Sequence, residues 1–428
     1  MRAFFAFSTC LGFAVLSGVS GPAFAVGESV GGFPNWRERT IHEFMNRSRC
    51  DPQADLAACP AANCLEKACY TAKNPLYMDA NLNRVARFHS DEMKQQTYFA
   101  HDSACTVVSN ISSIYPGSCN GAASCACVGG TKTCSPTCTA WNGRAPLFST
   151  SFSGEIIAST SDPQSAFYMW LYEKAANSNC GYSTANGHRY NILTAGPSVG
   201  VGVNSTGSSV GDFGGAAAGT YKIPSGSHYP QTGASLDMWA NWKDTAAPSQ
   251  ANVNVEGKCT AMTRKVGTAQ NGGWSVTLTG LGTTCQRYRF EFKDSAGATV
   301  TFPQTGSYYI GTNCATDGSD FSSNPPPNCG CTPSCGGKQC GDDGCGSVCG
   351  TCGGGTTCQS NQCVGNGNPD GGTAADDAGS GITDTTTVEP TGCSCDLTAA
   401  SSNRAAPFLA GFAVLFLAAF RRRARRTL

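Results

Sequence analysis

The sequence predicts an α+β fold followed by a small antiparallel β-sandwich and a disulfide-rich module, on three observations. Apolar residues recur at helical spacing in three stretches of the first 175 residues, and a Val/Gly alternation at 199–203 then follows the period of a strand. Between residues 215 and 320 a period of two takes over. Nine cysteines crowd into residues 329 to 363, where large apolar side chains are almost absent.

The first stretch places Trp36, Ile41, Phe44 and Met45 at helical spacing ahead of Cys50, and the second groups Leu82, Val85, Ala86, His89 and Met93. Asp162-Pro163 supplies an N-cap and a proline at the first helical position of the third, where Ala166, Met169, Trp170 and Glu173 follow at spacings of three and four. Glu173 is therefore expected on the face of Trp170. Val199, Val201 and Val203 alternate with Gly200 and Gly202, as in a strand lying close to another backbone. His89 falls on an apolar helix face and reads as a satisfied core histidine, His42 reads as a surface residue, and His228 is assigned no role.

Further along, 274–279, 288–292 and 299–302 alternate polar with apolar residues, and Asp294-Ser295-Ala296-Gly297 is a turn sequence that makes the last two a hairpin. This accessory sandwich, at 215–320, is expected to act as a spacer or a sugar-binding unit. An insertion at 104–148 carries Cys105, Cys119, Cys125, Cys127, Cys134 and Cys138, which reads as a disulfide-stapled loop shaping access to a cleft, with zinc knuckles as the alternative. The cysteine-rich module at 325–364 must be held by cross-links for want of a core, and 365–392 is a Gly/Asp/Thr-rich linker.

With 428 residues, 52 glycines and only 14 % charged residues, the chain has room for two or three domains joined by loop and linker. The formal charge of zero conceals an asymmetry. Arg2, Arg404, Arg421, Arg422, Arg423, Arg425 and Arg426 lie in end segments that targeting would remove, leaving 22 basic against 28 acidic residues, about −6. No basic footprint for nucleic acid is present. Residues 1–25 carry Arg2, an apolar run and Ala23-Phe24-Ala25, the layout of a secretory signal peptide. Beyond Cys10 in that segment 25 cysteines remain, a density sustained in an oxidising compartment, and the odd number requires at least one to be unpaired, modified or removed. The tail supplies a candidate.

Four short phrases carry the functional signal: Phe99-Ala100-His101-Asp102-Ser103, Gly154-Glu155-Ile156-Ile157, Trp170-Leu171-Tyr172-Glu173 and Gly187-His188-Arg189-Tyr190-Asn191-Ile192-Leu193. With Asn46-Arg47-Ser48-Arg49 and Asp212-Phe213-Gly214 they make residues 35–214 resemble the CAP superfamily (cysteine-rich secretory proteins, antigen 5 and pathogenesis-related 1), in its bacterial SCP-like branch. The resemblance implies an α-β-α sandwich whose cleft gathers His101, Glu155, Glu173 and His188. The usual Gly-Glu-Asn of that family reads Gly154-Glu155-Ile156 here.

Two imidazoles and two carboxylates are donors that zinc accepts, so these four are candidate metal ligands, with Glu155 and Glu173 as candidate general bases if a hydrolase is present. Arg189 and Asn191 are expected to orient the loop bearing His188. No nucleophilic serine motif and no His-Glu-x-x-His helix occurs. Three functions stay open: a surface protein binding an extracellular lipid, glycan or protein partner, a zinc-dependent hydrolase of peptide or envelope substrates, and an adhesin or structural surface module.

The C-terminal segment 393–428 begins Cys393-Ser394-Cys395, continues through a mostly apolar run at 405–420 and ends in an arginine cluster. Those sixteen residues would rise about 24 Å as a helix, marginally short of a bilayer core. The order resembles the myxobacterial C-terminal sorting signal (MYXO-CTERM), which implies modification at Cys393 and anchoring at the outer cell surface. A permanent single-pass helix is the alternative.

Overall fold

The computed structural model describes residues 26–365, apart from 133–137, 149–151, 206, 216–220, 282–283, 312–313, 315–319, 330–333 and 344–347. Helix α1 (Trp36–Cys50) starts where it does because Asn35 accepts from the Glu38 amide while the Glu38 carboxylate accepts from the Asn35 amide, a reciprocal cap. After it come α2 (Pro52–Leu56) and α3 (Ala80–Gln95), the latter capped by Asp79. Three single turns, α4 (Ile111–Ile114), α5 (Ala123–Ala126) and α6 (Trp141–Arg144), lie in the insertion, followed by α7 (Pro163–Leu171) and α8 (Gly187–Thr194).

Strands β1 (Tyr77–Met78), β2 (Gly154–Ala158), β3 (Ser198–Val203) and β4 (Ser209–Gly214) form one sheet in the order β1-β3-β4-β2, with only the β1–β3 pair parallel. The Val/Gly alternation sorts its two faces. Val199, Val201 and Val203 join Ile41 and Phe44 of α1, Phe167 and Trp170 of α7 and Ile192 of α8 in one core. On the other face, a Cβ on Gly200 would sit 1.9 Å from the Leu82 carbonyl carbon, and one on Gly202 would sit 2.0 Å from that of Ala86. Helix α3 rests on bare sheet backbone, which only glycine at these two positions permits.

A second pair of sheets follows. Strands β5 (Gly226–Tyr229), β6 (Ser235–Lys243), β9 (Thr263–Gly267) and β10 (Asn271–Thr279) pair in the order β5-β6-β10-β9. In the other sheet, β7 (Gln250–Val255), β8 (Lys258–Ala261), β11 (Gln286–Lys293), β13 (Ser307–Ile310) and β14 (Phe321–Ser322) run β14-β13-β11-β7-β8, with β12 (Thr299–Phe302) on β11. Met238 and Trp242 from one sheet and Val253, Tyr288, Phe290 and Phe292 from the other share a core. At the β11–β12 turn, Asp294 accepts from the amides of Ala296 and Ala298, and Gly297 takes a left-handed φ of +84°.

Helix α1 is buried nearly all round because β5 and β6 cover the face that a lone module would leave to water. Trp36 Nε1 donates to the His228 carbonyl (2.9 Å), Thr40 and Ser227 share a hydroxyl hydrogen bond (2.8 Å), and Asn46 Nδ2 donates to Ser225 Oγ (3.0 Å). The surface expectation for His42 is overturned: its ring is buried, with Nε2 2.8 Å from the Leu76 carbonyl. His89 is the core histidine expected, its Nε2 2.9 Å from the Ala100 carbonyl. Ahead of α1 the chain is clipped to the second sheet pair, where the Val26 amide donates to Gln304 Oε1 (3.0 Å), the Gln304 amide donates back to the Val26 carbonyl (2.8 Å), and Tyr308 Oη donates to the Gly27 carbonyl.

Disulfides hold the cysteine-rich stretches as expected. Cys105–Cys127 and Cys119–Cys125 staple the insertion, and Cys335–Cys349, Cys340–Cys358 and Cys352–Cys363 staple the late module, which ends in the hairpin β15 (Thr356–Gln359) and β16 (Gln362–Gly365). Cys329 departs from that picture by pairing back to Cys259 in β8, so it ties the module to the preceding sheet. Among the described residues Cys50 is an unpaired, buried thiol. The expectations placed on 1–25, 366–392 and 393–428, Cys393 included, lie outside the described residues. Among those described, no helix is long and apolar enough to cross a membrane.

Candidate functional site

Four elements present the four candidate residues: the loop after α3 carries His101, β2 carries Glu155, the segment after α7 carries Glu173, and the first turn of α8 carries His188. Helix α7 ends at Leu171, so Glu173 lies beyond the helix and does not extend the face of Trp170. The cause is Arg189, whose Nη1 takes the carbonyls of Leu171 (2.7 Å) and Glu173 (2.8 Å) and turns the chain outward. Met169, expected on the buried face, is half exposed.

The four residues meet as two pairs. His101 Nδ1 is 2.9 Å from Glu155 Oε1, and His188 Nδ1 is 2.7 Å from Glu173 Oε2. Each carboxylate is buried or nearly so, while the rings keep 45 % and 33 % side-chain exposure, so an open face is left on each imidazole. A carboxylate can only accept in such a contact, so Nδ1 is the donating nitrogen of each ring, and in the neutral ring Nε2 keeps its lone pair. The second oxygen of each carboxylate is also engaged: Glu155 Oε2 by Arg144 Nη2, and Glu173 Oε1 by the Arg189 amide (2.7 Å). Neither glutamate has an oxygen without a donor.

Helix α8 lies against β2, where a Cβ on Gly154 would come 2.8 Å from Asn191 Oδ1. That close approach sets the two pairs on adjacent elements. Asn191 Nδ2 also donates to the Gly187 carbonyl just ahead of His188 (2.9 Å), and the Arg189 guanidinium is locked by Glu66 Oε1 (2.8 Å from Nε).

Charge at the Glu155 end is set by burial and Arg144. Burial opposes ionisation of Glu155, but the Arg144 guanidinium, with His89 and His101 nearby, overrides it and holds the carboxyl well below the usual range. Asp212 stands opposite Glu155 in the β2–β4 register, and burial followed by the charge of Glu155 drives it well above the usual range. The centre therefore holds a carboxylate facing Arg144 and, opposite it, an acid whose ionisation is disfavoured by burial and by Glu155.

Arg144 escaped sequence reasoning. It is one of only two basic residues in the 104–148 insertion, and no spacing links it to β2. Three trios of metal-type donor atoms lie within 4.8 Å of one another among the described residues, Cys340/Cys352/Cys363, Glu92/Cys105/Cys127 and Cys259/Glu291/Cys329, and none contains His101, Glu155, Glu173 or His188. Their sulfurs are all spent in disulfides.

Neither a protein-family model nor a curated protein matches the chain. Among solved structures it is similar to an extracellular protein containing an SCP domain from Bacillus anthracis str. Ames, with 21 % identity, a TM-score of 0.24 and 42 % of this chain covered. The likeness spans 40 % of that protein's own length.

Proposed function

We propose that this is a secreted CAP-type protein whose α-β-α sandwich presents His101 and His188 as a divalent-metal pair, and that it acts by binding an extracellular ligand. The observation that carries this reading is the Nδ1-to-carboxylate contact on both rings, which leaves Nε2 as the ligand atom in each. Metal-bound histidines commonly give their other nitrogen to a carboxylate in this way. Glu155 and Glu173 accordingly orient the rings in this reading and are not themselves ligands, a narrower set than the four donors considered from sequence. Zinc bound there would supply a Lewis-acidic centre with open positions for a ligand atom.

Binding is preferred over hydrolysis because each glutamate already accepts on both oxygens, Glu155 from His101 and Arg144 and Glu173 from His188 and the Arg189 amide, and Arg144 makes Glu155 a weaker base. Exposed Phe99 and Tyr182, near the two histidines in sequence, offer apolar contact to a ligand. Display at the cell surface through Cys393 completes the proposal, with the sandwich and cysteine-rich module as spacers.

Elemental analysis and zinc titration of the purified protein test it. One bound zinc per chain, lost in His101→Ala and His188→Ala, is expected, together with no turnover across peptide and ester panels. A wild-type protein that takes up no zinc on titration refutes the metal pair. Zinc-dependent turnover would establish the hydrolase instead.

A further inference from the structure

The last turn of the insertion contacts the candidate site through Arg144. Arg144, at the end of α6, is buried, and its guanidinium spans two elements. Nη1 donates to the His101 carbonyl and to Ser103 Oγ, both at 3.1 Å, while Nη2 donates to Glu155 Oε2. Glu155 Oε1 in turn accepts from His101 Nδ1 at 2.9 Å. The guanidinium thus holds both the backbone of His101 and the carboxylate that holds its ring.

The rest of the insertion fixes where that guanidinium lies. The Ser103 amide donates to the Thr139 carbonyl and the Thr139 amide to the Cys105 carbonyl, each at 3.0 Å. The Trp141 amide donates to Asp102 Oδ1 at 2.9 Å, and Cys105–Cys127 closes the loop. Ser103 Oγ passes the connection on to Glu92 of α3 (2.7 Å). A planar guanidinium reaches acceptors on separate elements from two nitrogens held in fixed geometry, whereas an ammonium offers all its donors from one atom.

We propose that Arg144 is a positioning residue, delivered by the cysteine-rich insertion, that fixes His101 with Nδ1 protonated and Nε2 turned to the cleft. It acts through Glu155 and touches no ligand. The proposal rests on the reading of His101 as a ligand-facing ring, and the first measurement below does not involve a metal.

The ring nitrogens of His101 report the effect directly. In the metal-free wild type at pH 8, 15N shifts are expected to show the Nδ1–H tautomer, and a ring protonated at Nε2 overturns the proposal whether or not any variant folds. In Arg144→Gln the carboxylate loses its anchor, so a mixture of tautomers is expected. A wild-type ring in the folded variant also overturns the proposal. Where Arg144→Gln does not fold, Arg144→Lys keeps the charge and loses the fork; a mixed tautomer is again expected, and an unchanged ring refutes the role.

Zinc titration then separates the two ideas. Loss of affinity of about tenfold or more is expected in a folded Arg144 variant, the size typical of losing an outer-shell partner. No zinc uptake by the wild type removes the metal reading while leaving the tautomer result to decide Arg144.

Discussion

Replacing Gly202 by alanine should push α3 off the sheet. A Cβ there would lie 2.0 Å from the carbonyl carbon of Ala86 and the amide nitrogen of Arg87, both backbone atoms of a continuous helix that cannot step aside singly. Ordinary contact begins near 3.4 Å, so α3 must retreat by about 1.4 Å. A gap of that size forfeits more than the quarter to half of contact energy lost over about 0.5–1 Å. The loss falls on Ala86, Met93, Ile157 and Val210, which share a cluster between helix and sheet. Overpacking typically costs about 1–3 kcal/mol, and a clash with two backbone atoms belongs at the upper end, about 3 kcal/mol. At about 2–4 °C per kcal/mol for a unit the size of residues 35–214, a cost of about 3 kcal/mol should lower the midpoint of that unit by about 6–12 °C. Differential scanning calorimetry of Gly202→Ala beside Gly181→Ala, where no atom lies within 4 Å of the new methyl, provides the comparison. If Gly202→Ala melts within about 1 °C of Gly181→Ala, the contact between α3 and bare sheet backbone is wrong.

Buried rings predict the acid side of the stability curve. Burial lowers His42 to about 4 and His228 to about 3, so the unfolded chain takes up protons first and stability drains away as pH falls below about 6.5. Each ring should contribute a slope of about 1.4 kcal/mol per pH unit between about pH 6 and 4, and urea titrations of His228→Gln should show a slope smaller by that amount. Glu43 works in the opposite sense: burial raises it to about 7, so its contribution is full below about 4.5 and is lost as pH rises through 7. Cys50, whose thiol burial pushes up to about 12, should resist iodoacetamide in the native protein and be alkylated in denaturant, as peptide mapping would show; native labelling would contradict its burial. Arg189→Met leaves Glu66 buried without its partner and should cost about 3–5 kcal/mol in urea unfolding, with an effect below about 1 kcal/mol refuting that lock.

Local patterns were legible where both members of an interaction lie close in sequence or share a period. The Val/Gly alternation of β3 announced a close backbone approach, and the Asp294 turn announced the β11–β12 hairpin. The same holds for α1 and α3, whose apolar faces are set by spacing alone. What escaped notice depends on partners far along the chain. His42 looks exposed until folding brings the Leu76 carbonyl, 34 residues later, onto its ring. Glu173 continues the helical period of α7 in sequence, but Arg189 claims the carbonyls that end the helix. The two His/Glu pairs follow from residues that sequence singled out, whereas Arg144 has no signature, because a guanidinium's worth is set by the three acceptors folding brings around it.

The clip at Val26 and Gly27 has a consequence for the order of events as the chain is made. These residues emerge early, yet Gln304 and Tyr308, which receive them, are synthesised nearly 280 positions later. A chain released vectorially can close its leading α+β half while this first stretch still waits, and only arrival of the late strands supplies its seat. Docking of these residues therefore marks completion of the second sheet pair, so resistance of the chain at residues 26–28 to an endoprotease would time the end of folding rather than its beginning.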